Sequence, residues 1–307
     1  MRDMQSQSAQ DRPLFGAAMI VAGMSIIGVA DNFVRVYAEH AGLWQFHFTR
    51  ALLALPLILA ASWALGWRLR PRRMGWSVLR SALLVTSMLL YFGSLPMAPI
   101  AQVAAGLFTS PIWVLVFSVA LFRAPVGPRR VLAVGVGFIG VLMILRPWET
   151  AFTAWSLVPV ASGLFLALAN LVTRRACAEE PALGLNLLFF TGLGLAGAAG
   201  LAVMGDAGLA TGEASFFRSG WVWPLPGEAW AVIVMQAVVS VLAVFLITTG
   251  YQSADTSFMT LFDYTFLLTA GVTGWLVWGE ALGPLALAGM ALIVAAGAFI
   301  AQRSARG

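Results

Sequence analysis

The sequence predicts an all-α integral membrane protein of ten transmembrane helices, built as two inverted five-helix repeats with both termini cytoplasmic. Three observations point there. The 307-residue chain is 60% hydrophobic and 10% charged, against an apolar share of ~45–50% in ordinary soluble domains. The stretch from Ala98 to Gly140 lies without a gap over Ala254 to Ala296, 156 positions later. Gly127-Pro128 then falls on Gly283-Pro284 and Thr109 on Thr265, and each copy reads as apolar helix, Gly-Pro turn, apolar helix. Finally, the arginines gather almost wholly on one side of the spans.

Composition excludes several chemistries. All 18 basic residues are arginine, so no Walker A lysine, lysine Schiff base or catalytic lysine exists. The single cysteine, Cys177, excludes an intrachain disulfide. A net charge of +5 invites a nucleic-acid partner, but the arginines flank membrane segments, where topology accounts for them and no nucleic acid is expected. Residues 1–12 are polar, and the run from Leu14 is too long and too uncut for a cleavable signal, so no targeting segment is expected.

Hydropathy lays out spans over 13–38, 43–65, 76–95, 98–122, 128–145, 153–174, 183–204, 227–251, 254–279 and 284–302. A cytoplasmic amino terminus then places fourteen arginines inside, Arg68, Arg70, Arg72, Arg73 and Arg80 among them, against Arg146 and Arg218 outside. The positive-inside rule counts short loops such as these, and the asymmetry sets the orientation. The chain divides into a cytoplasmic segment 1–12, a first repeat 13–147, a second repeat 148–302 and a cytoplasmic tail 303–307.

Weaker echoes link the earlier spans: Asn32 matches Asn170, and Phe48-Thr49 matches Phe190-Thr191. The offset grows because the loop 205–226 replaces the short basic loop 66–75. Five spans per repeat is odd, so the second copy inserts upside down. Inverted repeats place a substrate site near the membrane midplane between the halves.

Phe48-Thr49-Arg50-Ala51-Leu52-Leu53-Ala54 in the second span resembles the EamA-type branch of the drug/metabolite transporter superfamily. So does Leu276-Val277-Trp278-Gly279-Glu280-Ala281-Leu282, followed by the Gly289–Gly297 run. The resemblance covers nearly the whole chain. It implies export of small metabolites, with some relatives moving aromatic and other neutral amino acids and others moving drugs. Glu280 holds the family's Gly-Glu position in the second half, whereas Ala124 takes the equivalent place in the first.

Charges inside spans are the first functional candidates, since one at the bilayer centre costs ~2.5–3.5 kcal/mol on the lenient scale. Asp31 and Arg50 both fall about 10 Å below the outer face at ~1.5 Å per residue, so an Asp31–Arg50 pair is expected, with Arg35 one turn above and able to share Asp31. The pair reads as a static tie or as an outer gate. Asp263 lies about 13 Å deep by the same rise. It reads as a hydrogen-bonded tie, a proton site or a contact for a substrate amine.

Mixed polar and aromatic faces are the expected cavity wall: Gln102, Thr109 and Trp113 on span four, and Phe258, Phe262 and Tyr264 with Asp263 on span nine. Tyr91 joins from span three, Gln236 from span eight and Asn32 from span one. Trp44 and His47 read as interfacial, and Glu179-Glu180 as solvated charge. Pro56 and Pro111 can kink their helices. Gly192, Ala196 and Gly200, with Gly289 and Gly297, form small-residue seams for close helix contact or a homodimer face.

A secondary transporter of a small-molecule substrate, embedded in the inner cell membrane, is the leading expectation, with no cofactor and no metal. An intramembrane enzyme finds two histidines, one cysteine and no His-Glu-x-x-His or Gly-x-Ser-x-Gly motif. A channel would need charge rings or a carbonyl filter. Phosphorylated cargo asks for clustered cations, which the inner two-thirds of the spans do not offer. Aromatic rings with neutral donors suit amino acids, hydrophobic or aromatic first, and tolerate organic cations or drugs as the alternative.

Overall fold

The computed structural model describes residues 12–94, 103, 106–121, 123, 127–146, 148, 157–205, 208–210, 215–280 and 283–304. Among these every regular element is helical. Helix α1 (Pro13–Ala30) runs through a 3-10 turn at Asp31–Phe33 into α2 (Val34–Ala38). Then come α3 (Leu43–Leu65), α4 (Met74–Ser94), α5 (Ser110–Ala120), α6 (Pro128–Leu145), α7 (Leu157–Ala176) and α8 (Ala182–Met204). The short α9 (Ser215–Arg218) precedes α10 (Gly227–Ser253). Next, α11 (Thr256–Met259) passes through a 3-10 turn at Thr260–Tyr264 into α12 (Thr265–Trp278), and α13 (Pro284–Ser304) closes the chain.

Seven of these segments are long and apolar enough to cross a membrane: Pro13–Ala38, Leu43–Leu65, Met74–Ser94, Leu157–Ala176, Ala182–Met204, Gly227–Ser253 and Thr256–Trp278. Helices α5, α6 and α13 are further apolar helices. Large apolar side chains such as Trp63, Leu195 and Leu276 stand exposed around the bundle, as a lipid-facing surface requires.

The local chemistry explains the boundaries. Pro13 and Pro128 open α1 and α6, where the missing proline N–H is no loss. Gly66 and Gly279 end α3 and α12 in the left-handed conformation that glycine adopts without a Cβ clash. Pro56 sits inside a continuous α3. Pro111, expected to kink a long fourth span, instead stands in the first turn of α5, directly after a turn in which the Thr109 N–H donates to Gly106 at 3.1 Å.

Four helix pairs dominate the packing: α1 with α10, α6 with α13, α4 with α7, and α3 with α8. Helix α12 also packs on α1, and α5 on α7. The small-residue seams serve these contacts. A Cβ at Gly200 would enter the Trp44 ring of α3, and one at Gly289 would come within 2.6 Å of the Gly140 carbonyl on α6. Gly192 faces Val85 of α4.

Hydrogen bonds fasten the two ends of the bundle. At the arginine-rich end the Glu180 carboxylate accepts from the backbone N–H groups of Arg72 and Arg73 at 2.6 and 2.8 Å. Arg130 pairs with Asp255 at 2.8 Å, and the Gln252 amide donates to the Cys177 and Glu180 carbonyls. Glu180 is therefore buried, not the solvated charge its surroundings in sequence imply. At the far end the Trp44 indole donates to the Phe217 carbonyl at 2.9 Å, and Gln45 exchanges two bonds with the Val222 backbone.

Candidate functional site

A cavity of about 130 Å³ lies at the centre of the bundle. Its wall draws on α1, α4, α5, α7, α8, α10 and the span through α12, so both halves of the sequence contribute. Apolar side chains make most of it, with Phe92, Phe108, Phe189 and Phe266 supplying rings and Met24 and Met88 filling between them. Phe108 and Phe266 stand with centroids 5.5 Å apart. Polar groups interrupt this wall, Asp31, Arg80, Tyr91, Ser110, Asn170 and Asp263 among them.

Both cavity carboxylates sit on the 3-10 turns that break their spans. Such a break opens backbone geometry and often marks a functional hinge. Asp263 accepts from the Tyr251 hydroxyl at 2.5 Å and from Thr260 at 3.4 Å, both on Oδ2, while its Oδ1 has no hydrogen-bond partner. Asp31 accepts from the Gln236 amide at 3.2 Å, and the same amide donates to the Ala30 carbonyl at 2.9 Å. The next residue, Asn32, ties α1 to α12 by donating its amide to the Gly28 and Ala270 carbonyls.

The expected Asp31–Arg50 contact is not made: no ion pair joins them among the described residues. Arg50 donates to His47 Nδ1 at 3.2 Å and lies over the Phe46 ring at 4.8 Å. Arg35 does not share Asp31 either; it pairs with Glu280 at 2.7 Å with its guanidinium 4.6 Å from the Trp278 ring. Depth along a helix is readable from residue counts, but the direction a side chain faces around the axis is not: Asp31 meets α10, Arg50 its own helix, and Arg35 the Glu280 that follows α12. His47 is wholly buried against Phe46 and Phe92, not interfacial.

Of the other expected wall residues, Tyr91 and Asp263 line the cavity. Gln102 lies outside the described residues. Thr109 returns its hydroxyl to the Gly106 carbonyl at 2.6 Å, and Trp113 stacks with Phe117 against α7. Phe258 and Phe262 pack with α1 in the cluster around Ile20 and Met259. Tyr264 packs toward α6 and α13 with Val141 and Ile293. Gln236 is buried one layer behind the wall, holding Asp31.

A comparison with known proteins bears on this arrangement. The chain is 31% identical over 308 residues to a riboflavin transporter of Vibrio cholerae, spanning 96% of this chain and 95% of that protein. The model of the EamA-like transporter family matches residues 14–146.

The chain belongs to the EamA-like transporter family.

Similarity extends to a riboflavin transporter of Rhizobium johnstonii, 27% identical over 100% of this chain and 98% of that one. A pseudopaline exporter of Pseudomonas aeruginosa is 24% identical over 92% and 94% respectively. A solved crystal structure shares the fold at a TM-score of 0.76 and 18% identity, covering 93% of this chain and 96% of that one. The EamA-like chain is thus a multi-pass protein of the inner cell membrane.

The cavity of this EamA-like transporter holds one residue that the sequence reading counted among the membrane-flanking arginines. Arg80 is 3% exposed and lines the cavity. Its Nε donates to Thr173 at 3.1 Å and its Nη2 to Thr248 at 2.8 Å, and its Nη1 has no hydrogen-bond partner. A buried unsatisfied polar group costs ~1–3 kcal/mol, so the arrangement is held against a standing penalty. One sequence signal could have found it: Arg80 lies 156 positions before Gln236, the same offset as the helix repeat.

Proposed function

We propose that the protein is a secondary transporter that moves a flat aromatic metabolite with polar edges, riboflavin first, by alternating access between two inverted halves. The central cavity carries this reading: aromatic rings line it from both halves, and isolated polar groups punctuate the wall. Curved or extended cargo gains little from such rings, whereas a flat ring system can lie against them. The similarity to riboflavin transporters over nearly the full length supports the same choice.

Pockets that hold drug-sized ligands measure ~300–1,000 Å³. A cavity of about 130 Å³ is therefore a contracted state, and cargo enters when one end of the bundle parts. Ties at both ends suit that cycle: Arg35–Glu280 at one and Arg130–Asp255 at the other.

The inverted-repeat organisation, with ten spans, halves of 13–147 and 148–302 and cytoplasmic termini, belongs to the same proposal. Helix packing supports it. Exchanging the halves carries the α3–α8 pair and the α6–α13 pair each onto itself, and carries α4–α7 onto α10–α1. Two pairs of positive-φ residues fall on the same exchange, Gly66 with Gly205 and Arg123 with Gly279. Ten spans then include α5, α6 and α13, and the arginine-rich end faces the cytoplasm.

Neutral or aromatic amino acids are the second reading, favoured by the presence of Arg80 and Asp263 in one cavity, a cation for a carboxylate and a carboxylate for an ammonium group. Counterflow separates the two. Liposomes holding the purified protein and loaded with unlabelled solute are expected to accumulate labelled riboflavin, and to do so poorly with phenylalanine or a quaternary ammonium dye. Phenylalanine counterflow without riboflavin counterflow would overturn the flavin assignment.

A further inference from the structure

Three buried polar atoms on the cavity wall have no hydrogen-bond partner: Arg80 Nη1, Asp263 Oδ1 and Ser110 Oγ. Their residues are 3%, 2% and 1% exposed. Buried polar groups in folded proteins are nearly always paired, so three orphans around one space call for an account. The first two are complementary: a guanidinium N–H can only donate, and an ionised carboxylate oxygen can only accept.

Their neighbours hold the remaining polar atoms of Arg80 and Asp263. Thr173 and Thr248 hold the other two guanidinium nitrogens of Arg80, and Tyr251 with Thr260 holds Asp263 by Oδ2. Thr248 and Tyr251 lie on the same helix, α10, three residues apart, a rise of ~4.5 Å. The donor and the acceptor are thus both held through neighbouring turns of α10, and neither is spent on the other. Phe108 and Phe266 stand in the same wall.

We propose that Arg80 and Asp263 read the edge of a cyclic imide or ureide, a ring carbonyl beside a ring N–H. The Arg80 Nη1–H group donates to the carbonyl, Asp263 Oδ1 accepts the ring N–H, and the aromatic wall takes the ring face. This rests on the cavity being the site of a flat aromatic cargo, and it names the feature that selects among such cargoes. Flavins, which carry a cyclic imide, fit; a polycyclic aromatic without that edge leaves both charged groups unpaired and is rejected.

The test compares riboflavin with N3-methylriboflavin, which keeps the ring, its carbonyls and the sugar chain but loses the imide N–H. In liposome counterflow the parent protein is expected to show a half-saturation for the methylated flavin higher by roughly tenfold or more. Asp263→Leu should bring the two flavins within about twofold of each other by weakening riboflavin alone. Arg80→Met should weaken both alike, because both retain the carbonyl. Asp263→Asn, which keeps a neutral acceptor, gives an intermediate preference and serves if the leucine variant does not fold. Equal transport of both flavins by the parent overturns the edge-reading and leaves the flavin assignment standing. Transport of neither flavin overturns the flavin assignment itself. Discrimination against the methylated flavin that stays at its full parental size in Asp263→Leu, or in Asp263→Asn, removes Asp263 from the role.

Discussion

Arg35 of α2 and Glu280, two residues beyond the end of α12, meet at 2.7 Å, with the guanidinium over Trp278 at 4.6 Å. The contact ties together, at the far end of the bundle, the span through α1 and α2 and the span through α12, the two elements whose 3-10 turns carry Asp31 and Asp263. The two side chains are 46% and 54% exposed, so water screens the pair and its worth to stability is ~0–1 kcal/mol.

The first prediction follows from that exposure. Glu280→Gln should shift thermal stability little yet change the counterflow rate, since the pair bridges elements that must part. Exchanging the charges with Arg35→Glu and Glu280→Arg together should recover most of the parental rate. A double exchange no better than either single change would mean that the contact does not gate the far end.

A second prediction separates two neighbouring glutamates. Glu180 is buried and accepts from two backbone N–H groups, whereas Glu179 is exposed. Glu180→Ala should cost ~1–3 kcal/mol in detergent unfolding and Glu179→Ala almost nothing. Equal losses would place Glu180 outside the loop it is held to cap.

The packing seam gives a third. Gly200→Ala forces a methyl into the Trp44 ring and should cost ~1–3 kcal/mol, the usual penalty for overpacking. Gly75→Ala, with nothing within 4 Å of the new carbon, should be neutral or slightly stabilising. A tolerated alanine at Gly200 would mean that α3 and α8 do not approach so closely.

Topology supplies a fourth. In a Cys177→Ala background, a thiol reagent that cannot cross the membrane should label Arg72→Cys only from the cytoplasm and Ala210→Cys only from outside. The opposite pattern would remove the cytoplasmic termini, and labelling of both from one side would remove the inverted halves.

Sequence periodicity carried the helical class and most helix positions, because apolar runs of membrane length are unambiguous. It also marked Asp31, Tyr91 and Asp263, which line the cavity. It misplaced residues wherever the question was which neighbour a face meets. Trp113 and Phe258 share helical faces with polar residues, yet pack against α7 and α1. In a membrane protein both lipid and protein neighbours are apolar, so hydropathy does not separate them. Arg80 was hidden by its position: it follows the run Arg68, Arg70, Arg72 and Arg73 and lies only six residues into α4, close enough to the basic loop to read as part of it.

The central claim is that cargo occupies the cavity between the two halves, and a cysteine in its wall tests that directly. Ser110 is buried there with its hydroxyl unpartnered. In the Cys177→Ala background, Ser110→Cys should react with a small membrane-permeant maleimide during transport, and saturating riboflavin should slow that reaction roughly tenfold while leaving the rate at Ala210→Cys unchanged. Active riboflavin counterflow with no protection of Ser110→Cys would contradict the account, because the cargo would then be passing through some other part of the protein.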